Sequence, residues 1–349
     1  MERAVAAVTR AEKYNSLRQF DQYLFDSKKS IKKPEIFISI DGGRISTLGN
    51  VLAISGPPKC GKTSFAGALI AGSLNSSMCK ESIDTLGLDI QPNTERHEMI
   101  YINTELGLYD FDNLVRKMLS RANLKDKPEF FHALNLTGLS PSKLIQKTDE
   151  FISEVARING IRAIIIDGIA DYVSNVNDPE ACGVVTQHFL GVAKLHNCVV
   201  VEIIHKNPGK GDTKSRGHLG SDLARKCEAT IELKPDGKCI IISGKDIRNA
   251  APDFVPRLMQ YDSVKEYFVS AGTKTSIKFE RYKNKVAEDM SRLKNVFGNS
   301  ETMKYGDLVT RIMPEFKIQD RAAKMRIKAF AAADLLHKND HGLYELKKK

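Results

Sequence analysis

No apolar run in this chain of 349 residues approaches the roughly 20 residues that a membrane-crossing helix needs. The opening MERAVAAVTRAEKYNS is too polar for a secretory signal. Six cysteines (Cys60, Cys79, Cys182, Cys198, Cys227 and Cys239) never form a C-x-x-C pair. That excludes the usual spacing of zinc and dithiol motifs and suits reduced thiols in a cytoplasmic protein. What is present is ordinary globular composition, 42% hydrophobic, with a net charge of +10 and a pI near 9.1. Such a balance is compatible with a polyanionic partner.

Against this background one stretch stands out, Gly56-Pro57-Pro58-Lys59-Cys60-Gly61-Lys62-Thr63, which meets every fixed position of G-x-x-x-x-G-K-[ST]. Val51 to Ile54 read as a buried strand before it, and Ser64 to Ile70 continue as a helix with Phe65, Leu69 and Ile70 on one face. Pro57 and Pro58 carry no N–H and shape the loop. The expected nucleotide-contacting set is Gly56, Lys59, Cys60, Gly61, Lys62, Thr63 and Ser64, whose backbone donors end at a helix N-terminus that favours an anion. Lys62 reaches the outer phosphates and Thr63 offers its hydroxyl to Mg²⁺. No N-K-x-D guanine signature occurs, so ATP is the expected nucleotide.

Residues 1–33 read as a charged, helix-compatible arm with Leu17, Phe20, Leu24 and Phe25 on a stripe, either a surface helix or a segment that docks on a neighbouring subunit. A short strand follows from Ile36, with a turn signal at Asp41-Gly42-Gly43. Beyond the loop helix, residues 72–97 read as polar and irregular. Strands then fall at Met99 to Glu105, Ala163 to Asp167, Cys198 to His205, Glu228 to Leu233, Cys239 to Ser243 and 265–269. Helices fall at 110–122, 141–158 and 180–196. Strands alternating with helices imply an α/β fold, a largely parallel twisted sheet covered on both faces. Ligands of such sheets sit beyond the carboxyl ends of the strands. Glu105, Asp167 and His205 all fall at that edge.

Each has a chemical reading beside a plainer one. Asp167 ends an apolar strand and suits Mg²⁺, although many strands end in a capping Asp. Glu105 is placed to orient and deprotonate a water in line with a γ-phosphate, or is a helix N-terminal acid. His205 suits sensing of the γ-phosphate and precedes a Gly-rich, basic stretch. That stretch, 206–222, either orders around a nucleic-acid backbone or is a plain surface loop. Lys245 and Arg248 follow a strand; between subunits they would neutralise charge on a neighbour's transferring phosphoryl group, and in a monomer they are surface charges.

Around 282–299 the composition turns polar, as in a linker helix, so the division expected is an arm at 1–33, a core at 34–285, a linker at 286–302 and a small unit at 303–349. In that last unit a short helix at 306–313, a longer one at 319–337, the turn Asn339-Asp340-His341-Gly342 and a strand at 343–346 outline a winged helix. Residues 291–349 hold thirteen Lys/Arg against seven Asp/Glu. Arg321, Lys324, Arg326 and Lys328 on the longer helix suit contact with duplex DNA, or form the solvated face of a protein-interaction domain.

With these residues in place, the chain resembles the RecA-like P-loop ATPases, and within them the RepA-type hexameric helicases of plasmids and mobile elements. The resemblance covers residues 34–260. It is carried by Ile40-Asp41-Gly42-Gly43, Gly49-Asn50, Gly56 to Thr63, Tyr101 to Glu105, Ile166-Asp167-Gly168, the strand ending at His205, and Lys245 to Asn249. It implies a RecA-like core in a homohexameric ring with sites at subunit interfaces, Glu105 activating water, and Arg248 with Lys245 acting in trans. It also implies that the loops after Asp167 and His205 line a channel for single-stranded DNA. The chain departs in reading K-x-x-R where such helicases more often show K-x-R, in lacking aromatics across 206–222, and in carrying the C-terminal unit. Other readings of the same residues are a recombinase-like or regulatory ATPase that does not unwind DNA, and a nucleotide-switched binding protein. A small-molecule kinase needs neither the mobile basic loop nor the strand-end Glu.

Overall fold

The computed structural model describes residues 17–21, 23–78, 82–206, 217–248, 254–332, 335–339 and 341–347, and the chain forms two units, Met1–Glu35 and Ile36–Lys349. In the first, where a helical arm is expected, the described residues hold a single 3-10 turn, Arg18–Phe20, with Leu17, Phe20, Leu24 and Phe25 exposed. A stripe that buries nothing lacks the packing that holds a short helix in water. Residues 1–16 lie outside the described residues.

The second unit opens with a hairpin, β1 (Ile36–Ile40) and β2 (Gly43–Thr47), turned by Asp41 and Gly42 at φ 51° and 76°. Then follow β3 (Val51–Gly56), α1 (Lys62–Met78), β4 (Asp89–Ile90), β5 (Glu98–Asn103), α2 (Leu108–Arg121), β6 (Phe131–Asn135), α3 (Pro141–Asn159) and β7 (Ile161–Asp167). After these come α4 (Pro179–Leu195), β8 (Val199–His205), α5 (Gly217–Lys226), β9 (Ala229–Asp236), β10 (Cys239–Lys245), β11 (Arg257–Asp262) and β12 (Tyr267–Thr273). The main sheet has nine strands in the order β12-β11-β10-β9-β3-β8-β7-β5-β6. From β9 to β6 all neighbours are parallel, and β10, β11 and β12 add antiparallel pairings at one side. The fold is therefore mixed α/β with a large, mostly parallel sheet.

The apolar runs explain the layers. In β7, IRAIIID, every residue is buried, and in β8, VVVEIIH, all but His205 are. Strands buried on both faces need helices on both. One face packs Leu52, Ile54, Tyr101, Ile165 and Val201 against Phe65 and Leu69 of α1 and Met118 of α2. The other packs Val51, Ile100, Ile164 and Val200 against Ile152 of α3, Phe189 of α4 and Leu223 of α5. Each fully buried Val, Leu or Ile contributes about 1.5–3 kcal/mol, so the sheet centre is a rigid platform for whatever its edge carries.

Some elements differ from expectation. Residues 72–97 are not irregular throughout: α1 runs to Met78, and β4 pairs with β1. Edge strand β6 buries only Phe131, and β11 reads RLMQYD, so neither shows a clean apolar pattern.

Beyond β12, a continuous helix α6 (Lys274–Phe297) spans most of the expected linker, and its end (Leu293, Val296, Phe297) belongs to a separate small core. That core is completed by β13 (Thr302–Met303), α7 (Tyr305–Phe316), α8 (Asp320–Ala332), β14 (Leu336–Lys338) and β15 (Tyr344–Leu346). Its three strands form an antiparallel sheet in the order β13-β15-β14. The helix expected to reach 337 stops at Ala332, and His337 is in β14, facing Glu345. Among the described residues no helix is long and apolar enough to cross a membrane.

Candidate functional site

Parallel strands β3, β5, β7 and β8 all deliver their carboxyl ends to one edge of the sheet, and a cleft of about 590 Å³ opens there. Ligand pockets of drug and nucleotide size fall in this range. Its floor is the loop between β3 and α1. Lys59 and Gly61 both take positive φ, 62° and 77°, which winds the loop so that α1 begins at Lys62. At Gly61 a Cβ would stand 2.9 Å from Met259 Cε and 3.0 Å from Phe268, so the loop lies directly against the β11–β12 hairpin. Gly56 is equally confined, since a Cβ there would meet the Cys60 sulfur at 2.5 Å and the Leu233 carbonyl at 2.8 Å.

Lys62 is buried and donates to the carbonyls of Gly56 (3.1 Å) and Pro57 (2.8 Å), with Nζ also 3.0 Å from His205 Nδ1. An ammonium can only donate, so Nδ1 accepts and the ring proton sits on Nε2. Nε2 in turn faces Glu105 Oε1 at 3.1 Å. Lys62, His205 and Glu105 thus form one hydrogen-bonded line across the cleft. Burial pushes the Lys62 pKa down, opposed by the nearby acids Glu105 and Asp167. The His205 hydrogen bond pulls the Glu105 carboxyl below its ordinary value, more than burial raises it.

Asp167, 4% exposed, accepts from the Tyr101 hydroxyl at 3.1 Å and from the Thr63 hydroxyl. Burial, with the negative field of Glu105, pushes its carboxyl up to about 6 against the pull of those two hydrogen bonds. Thr63 and Asp167, 104 residues apart in sequence, therefore share one oxygen-rich corner beside Lys62. Hard oxygen donors of this kind suit Mg²⁺, which takes few protein ligands and completes its shell with phosphate and water.

Glu105 lies two residues past β5, not on the strand, and its position is fixed by its neighbours. The Asn103 side chain donates to the Leu106 carbonyl (2.9 Å) and accepts from the Leu106 N–H (3.1 Å), closing a turn around Glu105. Thr104 N–H donates to the Asp167 carbonyl (2.9 Å), and the Thr104 hydroxyl donates to Asp171 Oδ2 (2.7 Å). The turn that carries Glu105 is thereby hooked to the turn that follows Asp167. The wall facing the β3–α1 loop is aromatic, formed by Tyr261, Tyr267 and Phe268, with Phe268 N–H donating to Ser64 Oγ (3.1 Å). Arg121 from α2 donates to the Phe268 carbonyl (2.9 Å) and lies over the Tyr267 ring at 4.9 Å.

The structure brings together Gly56, Lys59, Cys60, Gly61, Lys62, Thr63, Ser64, Glu105, Asp167 and His205. It does not bring Lys245 and Arg248 to them. Because β10 runs antiparallel, Lys245 pairs with Thr230 near the start of β9, and Arg248 N–H donates to the Glu228 carbonyl (3.0 Å). Through Glu228, Arg248 stands level with Val51, at the amino edge of the parallel strands and about 16 Å from Gly56; through Thr230, Lys245 stands level with Ala53, about 10 Å from Gly56 along the strand direction and two strands away from β3. The Arg248 guanidinium donates to the Arg225 carbonyl.

Of the stretch 206–222, residues 207–216 lie outside the described residues. Lys206 is buried, pairs with Glu232, and donates its N–H to the Gly56 carbonyl (3.0 Å). From Gly217 the chain is helical, not a loop, because Leu219 and Leu223 are buried against the sheet. In the C-terminal unit Arg326 is structural: it pairs with Asp289 (2.8 Å) and lies over the Phe316 ring at 4.7 Å. Arg321, Lys324 and Lys328 are exposed, with Lys324 beside Asp320 at 2.9 Å.

Sequence reasoning included Tyr101, Asn103 and Thr104 in a motif but assigned them no individual role, and it missed Asp171 and the aromatic wall. A hydroxyl in the otherwise apolar strand ending Y-I-N-T-E, on the face it shares with position 103 by the two-residue period, was the available signal for Tyr101. The wall had none, since it depends on a hairpin more than 150 residues from the loop it covers. No protein-family model matches the chain, and no curated protein matches it.

Proposed function

We propose that this chain is a DNA-dependent ATPase of the RecA-like class, a RepA-type ring helicase that couples ATP hydrolysis to movement on single-stranded DNA in the replication or mobilisation of a mobile element. The observation that carries the hydrolytic part is the convergence of the Thr63–Asp167 contact and the Lys62–His205–Glu105 line on one phosphate loop. Backbone donors from Lys59 to Ser64 and the Lys62 ammonium would hold the phosphates. Thr63 and Asp167 would hold Mg²⁺, which when bound supplies charge neutralisation on the phosphate oxygens. Glu105, with its pKa held low, takes the proton of the water whose oxygen attacks the γ-phosphorus as the bond to ADP breaks. Entry of phosphate draws Lys62 away from His205 Nδ1, and His205 reports that change at the start of the 206–222 segment.

The DNA-coupled part rests on the charge of +10, on the basic stretch after His205, and on the position of Lys245 and Arg248. Neither cation lines the cleft of its own chain, which favours their action on a neighbour in a homohexamer. The two helices and three-stranded antiparallel sheet after α6 support a winged-helix reading, with Arg321, Lys324 and Lys328 facing duplex DNA. The expected location is the cytoplasm.

Steady-state ATPase with and without single-stranded DNA tests the proposal. Glu105→Gln is expected to bind ATP normally and lose turnover by about 10²–10⁴. Unchanged turnover refutes the base assignment, and absence of DNA stimulation refutes the motor. A protein that binds ATP, barely hydrolyses it and still binds duplex DNA through 303–349 would be the nucleotide-switched binder.

A further inference from the structure

We infer that Gly168 is a positioning residue for Glu105: the missing side chain after Asp167 decides where the Glu105 carboxylate stands. This rests on the hydrolytic reading above only for its kinetic consequence; the geometry is independent of it. Gly168 has φ −177° and ψ 99°, extended backbone open to any residue, so the glycine is not needed for its conformation. It is needed for space. A Cβ built at 168 would lie 2.6 Å from Glu105 Oε1 and 3.1 Å from both Cδ and Cγ, so the three atoms nearest to it all belong to that one side chain. Ordinary contact begins at 3.4 Å, so a methyl there requires the carboxylate to retreat by about 0.8 Å.

The retreat has few directions open to it. The backbone of Glu105 is held on one side by the Asn103–Leu106 turn and on the other by Thr104, bound to the Asp167 carbonyl and to Asp171. The side chain alone must move, and its movement changes the contact with His205 Nε2, now 3.1 Å from Oε1. Folding cost is small, because the obstructed atoms are the far end of a flexible side chain. The catalytic cost is large, because misplacement of a reacting group by about 1 Å is worth on the order of a hundredfold in rate.

The test is Gly168→Ala in the full chain, alone and combined with Glu105→Gln. Alone, it is expected to lower kcat for ATP about a hundredfold while leaving the Kd for ATP and the thermal midpoint near wild type. In the Glu105→Gln background it is expected to add no further loss, because two residues acting through one group are not additive. Without nucleotide, the His205 imidazole ¹⁵N resonances are expected to shift in Gly168→Ala. A variant with wild-type kcat and unmoved His205 resonances overturns the inference. So does an equal further loss on top of Glu105→Gln, or a loss of fold, since either means that the methyl meets more than Glu105. If the wild-type chain does not hydrolyse ATP, the functional reading fails instead, and shifted His205 resonances in Gly168→Ala still uphold the positioning.

Discussion

Glu202 provides a direct test of how deeply this core commits its polar groups. It sits in the middle of β8, fully buried, between Ala53 of β3 and Ile166 of β7 in the sheet register. Neither carboxyl oxygen has a hydrogen-bond partner among the described residues. Burial alone pushes its pKa from 4.5 up to about 8. The titratable groups around it are Tyr172, pushed up to about 12, and the Cys227 thiol, pushed well above its ordinary value, with Asp222 and Arg248 farther out near Cys182 and Cys227. Neither Tyr172 nor Cys227 ionises near neutrality.

The sign follows from linkage. Between pH 4.5 and 8 the folded chain keeps a proton on Glu202 that the unfolded chain has released, so stability falls as pH rises through that window and is level above it. With one pKa unit worth 1.36 kcal/mol, the loss between pH 6 and pH 9 is about 3 kcal/mol. Glu202→Gln preserves shape and removes the titration. The gap in stability between variant and wild type should therefore widen by about 3 kcal/mol from pH 6 to pH 9, or about 5 °C in thermal midpoint for a chain of this size. Asp167, at about 6, titrates in both proteins and cancels in the difference. Differential scanning fluorimetry of both proteins without nucleotide at pH 6, 7, 8 and 9 reads the effect. A gap that stays constant across that range means Glu202 is ionised in the fold and refutes the reasoning.

Gly61→Ala should abolish ATP binding by isothermal titration, because φ 77° is strained for alanine and its Cβ would press on Met259 and Phe268; retained affinity would mean that the loop closes differently. Tyr101→Phe leaves the buried Asp167 one donor short and should destabilise the chain by about 1–2 kcal/mol in urea unfolding, with no change expected in a surface control such as Tyr109→Phe. Arg326→Ala should lower stability of the C-terminal unit by about 1–2 kcal/mol through lost ring packing and an unpaired Asp289, while Arg321→Ala and Lys328→Ala spare stability and weaken duplex binding in a salt-dependent way. Mixing Arg248→Ala chains with wild type should depress ATPase more steeply than the mutant fraction if the guanidinium serves a neighbour, and a proportional fall refutes action in trans.

The placement of residues by short local patterns was legible without coordinates. Gly56 to Thr63 join a strand, a glycine-framed turn and a helix in immediate succession, so this stretch determines its own geometry. Asp167 and His205 end runs of β-branched residues that can only be buried parallel strands, and such strands place their ends along one edge. What the sequence by itself determined is therefore the sheet, its polarity in the parallel half, and the residues at its carboxyl edge. Only the tertiary structure decided what lies beside them. The two-residue period of a strand carries no direction, so nothing local revealed that β10 runs antiparallel and carries Lys245 and Arg248 away from the cleft. Nor does polarity of composition distinguish a linker from a helix whose last turn is core, as Leu293, Val296 and Phe297 are. Gly168 shows the same limit at the scale of one atom. Its backbone conformation suits any residue, and the reason for a glycine is a carboxylate that arrives from 63 positions earlier in the chain.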